Sequence, residues 1–288
     1  WQVGIIAVVT VLFVTSSVSG VARGVKLLSV GNLIAAAALA GVVFVLGPTV
    51  HIIDTFTNSL GGYASEFVRM SLRLTPFRDS SWVGSWTIFY WAWWLAWSPF
   101  VGLFIARVSR GRTIREFVLG VVIAPTLVAF LWFSIFGGAA LSLEIFQGAP
   151  LADVAAKDSS LALFAMLQQL PLATLTSIIG TLLVVVFFVT SGDSATLVLA
   201  TMSHGGADNP PHRSKIIWGV LIAGIAAALL LAGGVQAVQT ASIVFALPFT
   251  VVVVLMAVAL VRAIRADWEA DQKRQRALRR RMEQLVQP

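Results

Sequence analysis

The residues that could do chemistry begin with tryptophan. Trp86, Trp91, Trp93, Trp94 and Trp97 make up half of the 10 Trp in the chain. Trp93, Trp97, Phe100 and Phe104 recur at i, i+4, i+7 and i+11, which on a helix forms one aromatic stripe. Such a stripe is either packing surface or a cation site. A quaternary ammonium offers no hydrogen-bond donor, so ring faces are what can hold it, at about 2 kcal/mol per desolvated contact. Ser98, Pro99 and Gly102 fall in the same segment, and Pro99 removes a backbone donor and frees the carbonyl one turn earlier. Breaks of this kind in membrane helices offer carbonyls to cations; a simple kink is the alternative.

A second constellation is FFVTSGDSATLV, residues 187–198. Asp193 is the one ionisable residue clearly inside a hydrocarbon-length apolar run, and an intramembrane carboxylate marks an ion path or a paired site. Thr190, Ser191 and Ser194 add hard oxygen ligands, which suit sodium better than a transition metal. Two other readings of Asp193 stand beside this: a hydrogen-bond hub between helices, and one half of an aspartyl protease. The protease reading lacks a partner, since Asp54, the other carboxylate near a span, sits at an outer end. His51, His204 and His212 are scattered without metal-ligand spacing. No nucleotide loop or nucleophile elbow is present, so the chain reads as no enzyme and needs no cofactor beyond an ion.

These residues must be positioned by membrane helices. The 288 residues are 58% hydrophobic and 11% charged, with a mean hydropathy of +0.89. That is too apolar to cover a soluble domain with polar surface. The apolar runs are continuous rather than alternating, which selects an all-α polytopic membrane protein over a barrel. Runs long enough for a span predict seven, at about residues 4–19, 28–53, 86–106, 117–136, 170–201, 216–231 and 243–261. Residues 61–74 mix Tyr63, Phe67, Met70 and Leu74 with Ser65, Glu66, Arg69 and Arg73, as suits an external interfacial helix. Residues 138–169 read as an ordered external loop with a short helix, and the tail from 262 as a basic amphipathic helix.

Basic residues set the orientation. Sixteen of the 20 Lys and Arg fall on one side of this topology, Lys215 among them, and only Arg69, Arg73, Arg78 and Lys157 on the other. The C-terminus is therefore expected in the cytoplasm, with the protein multi-pass in the plasma (inner) membrane. The net charge of +7 then faces anionic lipid at basic loops and tail, and no nucleic-acid partner is needed. With no Cys, disulfides and thiolate metal sites are excluded. Trp1 directly ahead of a span, with an external start, reads as a chain whose earlier helices are missing.

The segment FYWAWWLAWSPFVGLFIARVSRGRTIREF, residues 89–117, resembles the signature of the betaine/choline/carnitine transporters. SGVARGVKLLSVGN at 19–32, GPT at 47–49, WFSIFGG at 132–138 and TSGDSAT at 190–196 are similar to family segments in the same order. The resemblance implies a twelve-span, inverted-repeat (LeuT-like) fold of which this chain supplies the last seven spans. It divides the chain into two spans ending the first repeat (1–56), an external loop with the interfacial helix (57–85), five spans of the second repeat (86–264) and a cytoplasmic basic helix (265–288).

It also implies secondary active uptake of a quaternary ammonium compatible solute, glycine betaine or similar, by sodium symport, with a role in osmoregulation. Trp93, Trp94 and Trp97 fall on the family's substrate cage, with Phe100 beside it. Phe187, Thr190 and Ser191 fall on a sodium site, with Asp193 and Ser194 as support. Arg107, Arg110, Arg112 and Arg115 match a regulatory cytoplasmic loop, and a homotrimer is implied. Sodium-independent exchange of carnitine or choline type, and a channel or scaffold, remain the alternatives.

Overall fold

The computed structural model describes residues 2–19, 22–75, 77, 82–207 and 209–286. Nine α-helices follow one another, with no strand among the described residues: α1 (Gln2–Ser19), α2 (Ala22–Leu46), α3 (Thr49–Ser71), α4 (Phe89–Val108), α5 (Ile114–Gln147), α6 (Leu151–Lys157), α7 (Ala162–Leu167), α8 (Ala173–Ser203) and α9 (His212–Val286). A π-helical turn, Val83–Ile88, leads into α4. The all-α architecture matches the expectation.

Five described helices are long and apolar enough to cross a membrane, and the α1 stretch Gln2–Val18 is a shorter apolar helix. Most of their Leu, Val, Ile and Phe point outward, which is affordable only where the surroundings are hydrocarbon.

Helix boundaries depart from the sequence reading where local chemistry overrides hydropathy. The span expected at 28–53 is cut at Gly47–Pro48. There the Gly47 N–H donates to Val43 O (2.9 Å), and the Thr49 hydroxyl donates to Phe44 O (2.7 Å). A Cβ on Gly47 would collide with the Val43 carbonyl, so glycine is needed for this close approach. The interfacial helix expected at 61–74 is the second half of α3, and the Glu66–Arg69 pair lies on it.

α5 runs well past the predicted end at 136. Its start is fixed by a capping box, in which Thr113 N donates to Glu116 Oε2 (2.9 Å) and Glu116 N to Thr113 Oγ1 (3.3 Å). Its end is a Schellman turn at Gly148 (φ 69°), with Ala149 N donating to Leu143 O. At about 1.5 Å per residue this helix is about 51 Å long.

α9 is two helical stretches that meet at Gly233 and Gly234, one for each of the last two predicted spans, 216–231 and 243–261. Its helical geometry breaks only at Gly233 and Gly234, and Gly234, at φ 65° and ψ −151°, holds a conformation open to glycine alone. The basic tail continues this helix rather than forming a separate one.

The chain divides into two compact units. The first, residues 1–74 and 106–228, has a core of Leu39 and Val43 from α2, Ile52 from α3, Ala139 and Leu143 from α5, Met166 and Leu167 from α7 and Leu183 from α8. Small residues let the helices approach, as at Gly138 of α5, where a Cβ would sit 3.1 Å from the Thr55 hydroxyl of α3. The second, residues 75–105 and 229–288, holds the Trp-rich helix and the later part of α9. Within it Phe100 of α4 meets Phe249 of α9, ring centroids 5.4 Å apart.

Candidate functional site: an aromatic cluster and a hydroxyl face

In the second unit the helical register brings the predicted rings together. Trp93, Trp94 and Trp97 form a triangle with centroid separations of 6.4 Å (93 to 94), 6.3 Å (93 to 97) and 5.9 Å (94 to 97), the last pair perpendicular. Such edge-to-face geometry is favoured by the ring quadrupoles. All three remain about half exposed, at 43%, 57% and 45%, so part of each ring is left uncovered by the described helices. Toward the N-terminus the stack continues: Phe89 on Trp93 (6.4 Å), Tyr90 against Trp93 (5.8 Å), and Trp86 on Tyr90 (6.0 Å). Phe89 and Tyr90 were not singled out in the sequence, although their i, i+4 and i, i+3 spacing to Trp93 was the available signal. Phe100 packs on Phe249 instead of joining the triangle.

At Pro99 a side chain meets the freed carbonyl. The missing N–H of Pro99 frees the Leu95 carbonyl, but the Ser98 hydroxyl donates to that oxygen at 3.1 Å. The Ser98 hydroxyl thus replaces the donor that Pro99 removes, and it occupies one of the two lone pairs of the Leu95 carbonyl.

In the first unit, α8 carries two faces. Phe187, Thr190, Ser191 and Ser194 follow i, i+3, i+4, i+7 and share one side. Thr190 Oγ1 donates its one proton to Val186 O (2.9 Å), with Phe187 O next at 3.1 Å, and Ser194 Oγ donates to Thr190 O (2.9 Å). The hydroxyls therefore line up along the helix with oxygen lone pairs outward, and Ser191 is exposed.

Asp193 is about 200° round the helix from Ser191 but only about 60° from Thr190, so it borders that face on the Thr190 side. It faces Ser16 and Ser17 of α1 and lies in the field of Lys215 of α9. Lys215, counted from sequence as a loop cation, is 6% exposed; its position in HRSK, directly ahead of an apolar run, was the signal.

Arg110, Arg112 and Arg115 are exposed around the α4–α5 turn, whereas the side chain of Arg107 lies outside the described residues, as does Arg78. Two grooves flank α8. One is lined by Gln168, Thr174, Ser177 and Thr181 among others, the other by residues of α2 and α8 including the buried Asn32, whose Nδ2 has no partner. Neither includes Thr190 or Ser191.

Long outward-apolar helices and a half-exposed ring cluster on one of them define an all-α polytopic membrane protein. Residues 1–269 match BCCT, the betaine/carnitine/choline family transporter, and the chain belongs to that family. It is thus a transporter-family chain and not an enzyme.

The chain is 48% identical over 265 residues to a glycine betaine transporter of Bacillus subtilis (strain 168), covering 91% of this chain and 51% of the relative. To an ectoine/hydroxyectoine transporter of Virgibacillus pantothenticus it is 46% identical over 275 residues, 95% of this chain and 55% of the relative. A glycine betaine/proline/choline transporter of Vibrio parahaemolyticus is 42% identical over 265 residues, 91% of this chain and 47% of the relative. The chain spans about half the length of the curated relatives it matches.

Proposed function

We propose that this chain forms the cation-gripping part of a secondary active transporter that takes up glycine betaine or a closely related quaternary ammonium solute by sodium symport. The observation that carries the reading is the Trp93–Trp94–Trp97 triangle, three half-exposed ring systems within 6.4 Å of one another. Their faces hold the trimethylammonium group through ring quadrupoles and apolar contact. The names of two relatives, a glycine betaine carrier and a glycine betaine/proline/choline carrier, support the quaternary ammonium class, while the ectoine/hydroxyectoine carrier is named for a solute with no quaternary nitrogen. Phe187, Thr190 and Ser191 supply the sodium site in this reading, with Ser194 behind them. Asp193 is left to a structural pairing with α1 and α9, as its position opposite Ser191 favours.

The transporter sits in the plasma membrane as a homotrimer with its C-terminus in the cytoplasm. There Arg107, Arg110, Arg112, Arg115 and the basic end of α9 meet anionic lipid and tune uptake to osmotic conditions. Residues 1–56 close the first structural repeat and 86–264 form the second.

Substrate competition in proteoliposomes tests the substrate class. Glycine betaine should displace labelled betaine far better than its carbon isostere 3,3-dimethylbutanoate, whose tert-butyl group has the shape of the trimethylammonium without its charge. Equal displacement would show that the rings only pack. A countertransport assay without sodium separates symport from carnitine-type exchange.

A further inference from the structure

We propose that Lys215 is a positioning residue of the transport cycle: its buried ammonium offsets the Asp193 carboxylate, keeping the Thr190–Ser191 region weak enough in cation affinity to release sodium. The inference rests on the sodium reading above.

Three helices of the first unit close around Phe13, which is 2% exposed. A Cβ on Gly192 of α8 would sit 2.9 Å from its ring, and one on Gly219 of α9 would sit 3.3 Å from the same ring and against Val14. In this junction Lys215 Nζ donates to Ser17 O at 3.1 Å. That carbonyl belongs to the last turn of α1, the negative end of its dipole. A single carbonyl does not balance a buried ammonium with three donors. The opposite charge in its field is Asp193, which also meets Ser16 and Ser17. The Ser17 hydroxyl is buried and closes no hydrogen bond of normal geometry.

Thr190 and Asp193 are i, i+3 neighbours, so the field of the carboxylate reaches the candidate ion ligands through a poorly screening interior. With Lys215 the pair is neutral overall. Without it an uncompensated negative charge stands one turn from Thr190 and holds a cation that must be let go.

The test compares Lys215→Met, Lys215→Arg, Asp193→Asn and the double variant Lys215→Met/Asp193→Asn with the parent transporter, purified in liposomes at pH 8. The readouts are the sodium concentration for half-maximal betaine uptake, the maximal rate and thermal stability. Lys215→Met should lower the half-saturating sodium about five-fold and cut the maximal rate by a similar factor. Lys215→Arg should stay near the parent, Asp193→Asn should raise half-saturation, and the double variant should return toward the parent.

A Lys215→Met protein that loses stability while its half-saturating sodium stays put shows a merely structural lysine and overturns the proposal. If Lys215→Met does not fold, an unchanged value in Asp193→Asn overturns it equally. Parent uptake indifferent to sodium would remove the sodium reading and this one together, whereas sodium-dependent parent uptake with unresponsive variants removes the role of Lys215 alone.

Discussion

Truncating Trp97 is the sharpest perturbation of the aromatic cluster. Trp97 is the vertex nearest both partners, 6.3 Å from Trp93 and 5.9 Å from Trp94. Trp97→Ala removes one ring face, at about 2 kcal/mol for a desolvated cation contact. At about 1.4 kcal/mol per decade this weakens betaine binding about 30-fold. Trp86→Ala is the matched control, because Trp86 stacks on Tyr90 at 6.0 Å and has no ring contact with the triangle; its effect should stay within about three-fold. Trp97→Phe keeps a smaller ring and should fall between them. Titration calorimetry on the purified transporter gives the dissociation constants directly. Equal losses for Trp97→Ala and Trp86→Ala would refute the reasoning, since a packing stripe responds alike along its length. Equal losses for betaine and 3,3-dimethylbutanoate in Trp97→Ala would refute the cation component specifically.

The geometry sets four further outcomes. Thr113→Ala deletes the capping box of α5 and should cost about 1 kcal/mol, read as a melting temperature lower by about 2–4 °C. Gly192→Ala drives a methyl into the buried Phe13 ring, 2.9 Å away, and should destabilise by about 1–3 kcal/mol. Gly120→Ala, with nothing within 4 Å of the new Cβ, should be neutral or stabilising in the same melt. Asp158 accepts from Ser160 N (2.9 Å) and Ser160 Oγ (2.5 Å), which holds its carboxyl below the ordinary value of 3.8. A depressed folded-state value gives stability that is present above pH 3.8 and lost as pH falls through the lowered value. Asp158→Asn should therefore flatten the acid limb of a stability–pH curve, and an unchanged limb would contradict this.

Fold class was legible in the sequence because a lipid-facing helix needs only a long apolar run, and such runs survive without knowledge of neighbours. Helix ends were not legible where hydropathy and backbone chemistry disagree. Gly47–Pro48 stops a run that stays apolar on both sides, while the Thr113 box and Gly148 turn make α5 longer than its hydrocarbon core. The triangle of Trp93, Trp94 and Trp97 was readable because all three lie on one helix, where spacing alone fixes proximity. Asp193 was readable as an ion-path residue or a hub between helices, but its partners were not, because Ser17 and Lys215 lie on helices remote in sequence. Ser98 was read with Pro99 as a gap, and only side-chain geometry shows the hydroxyl closing it.

The most direct measurement is accumulation of labelled glycine betaine in liposomes containing the purified transporter, under an imposed inward sodium gradient. Internal betaine should rise above the external concentration, scale with the sodium gradient, and collapse when sodium is replaced by potassium. Betaine that only equilibrates across the membrane, whatever the gradient, would contradict the account and leave a channel.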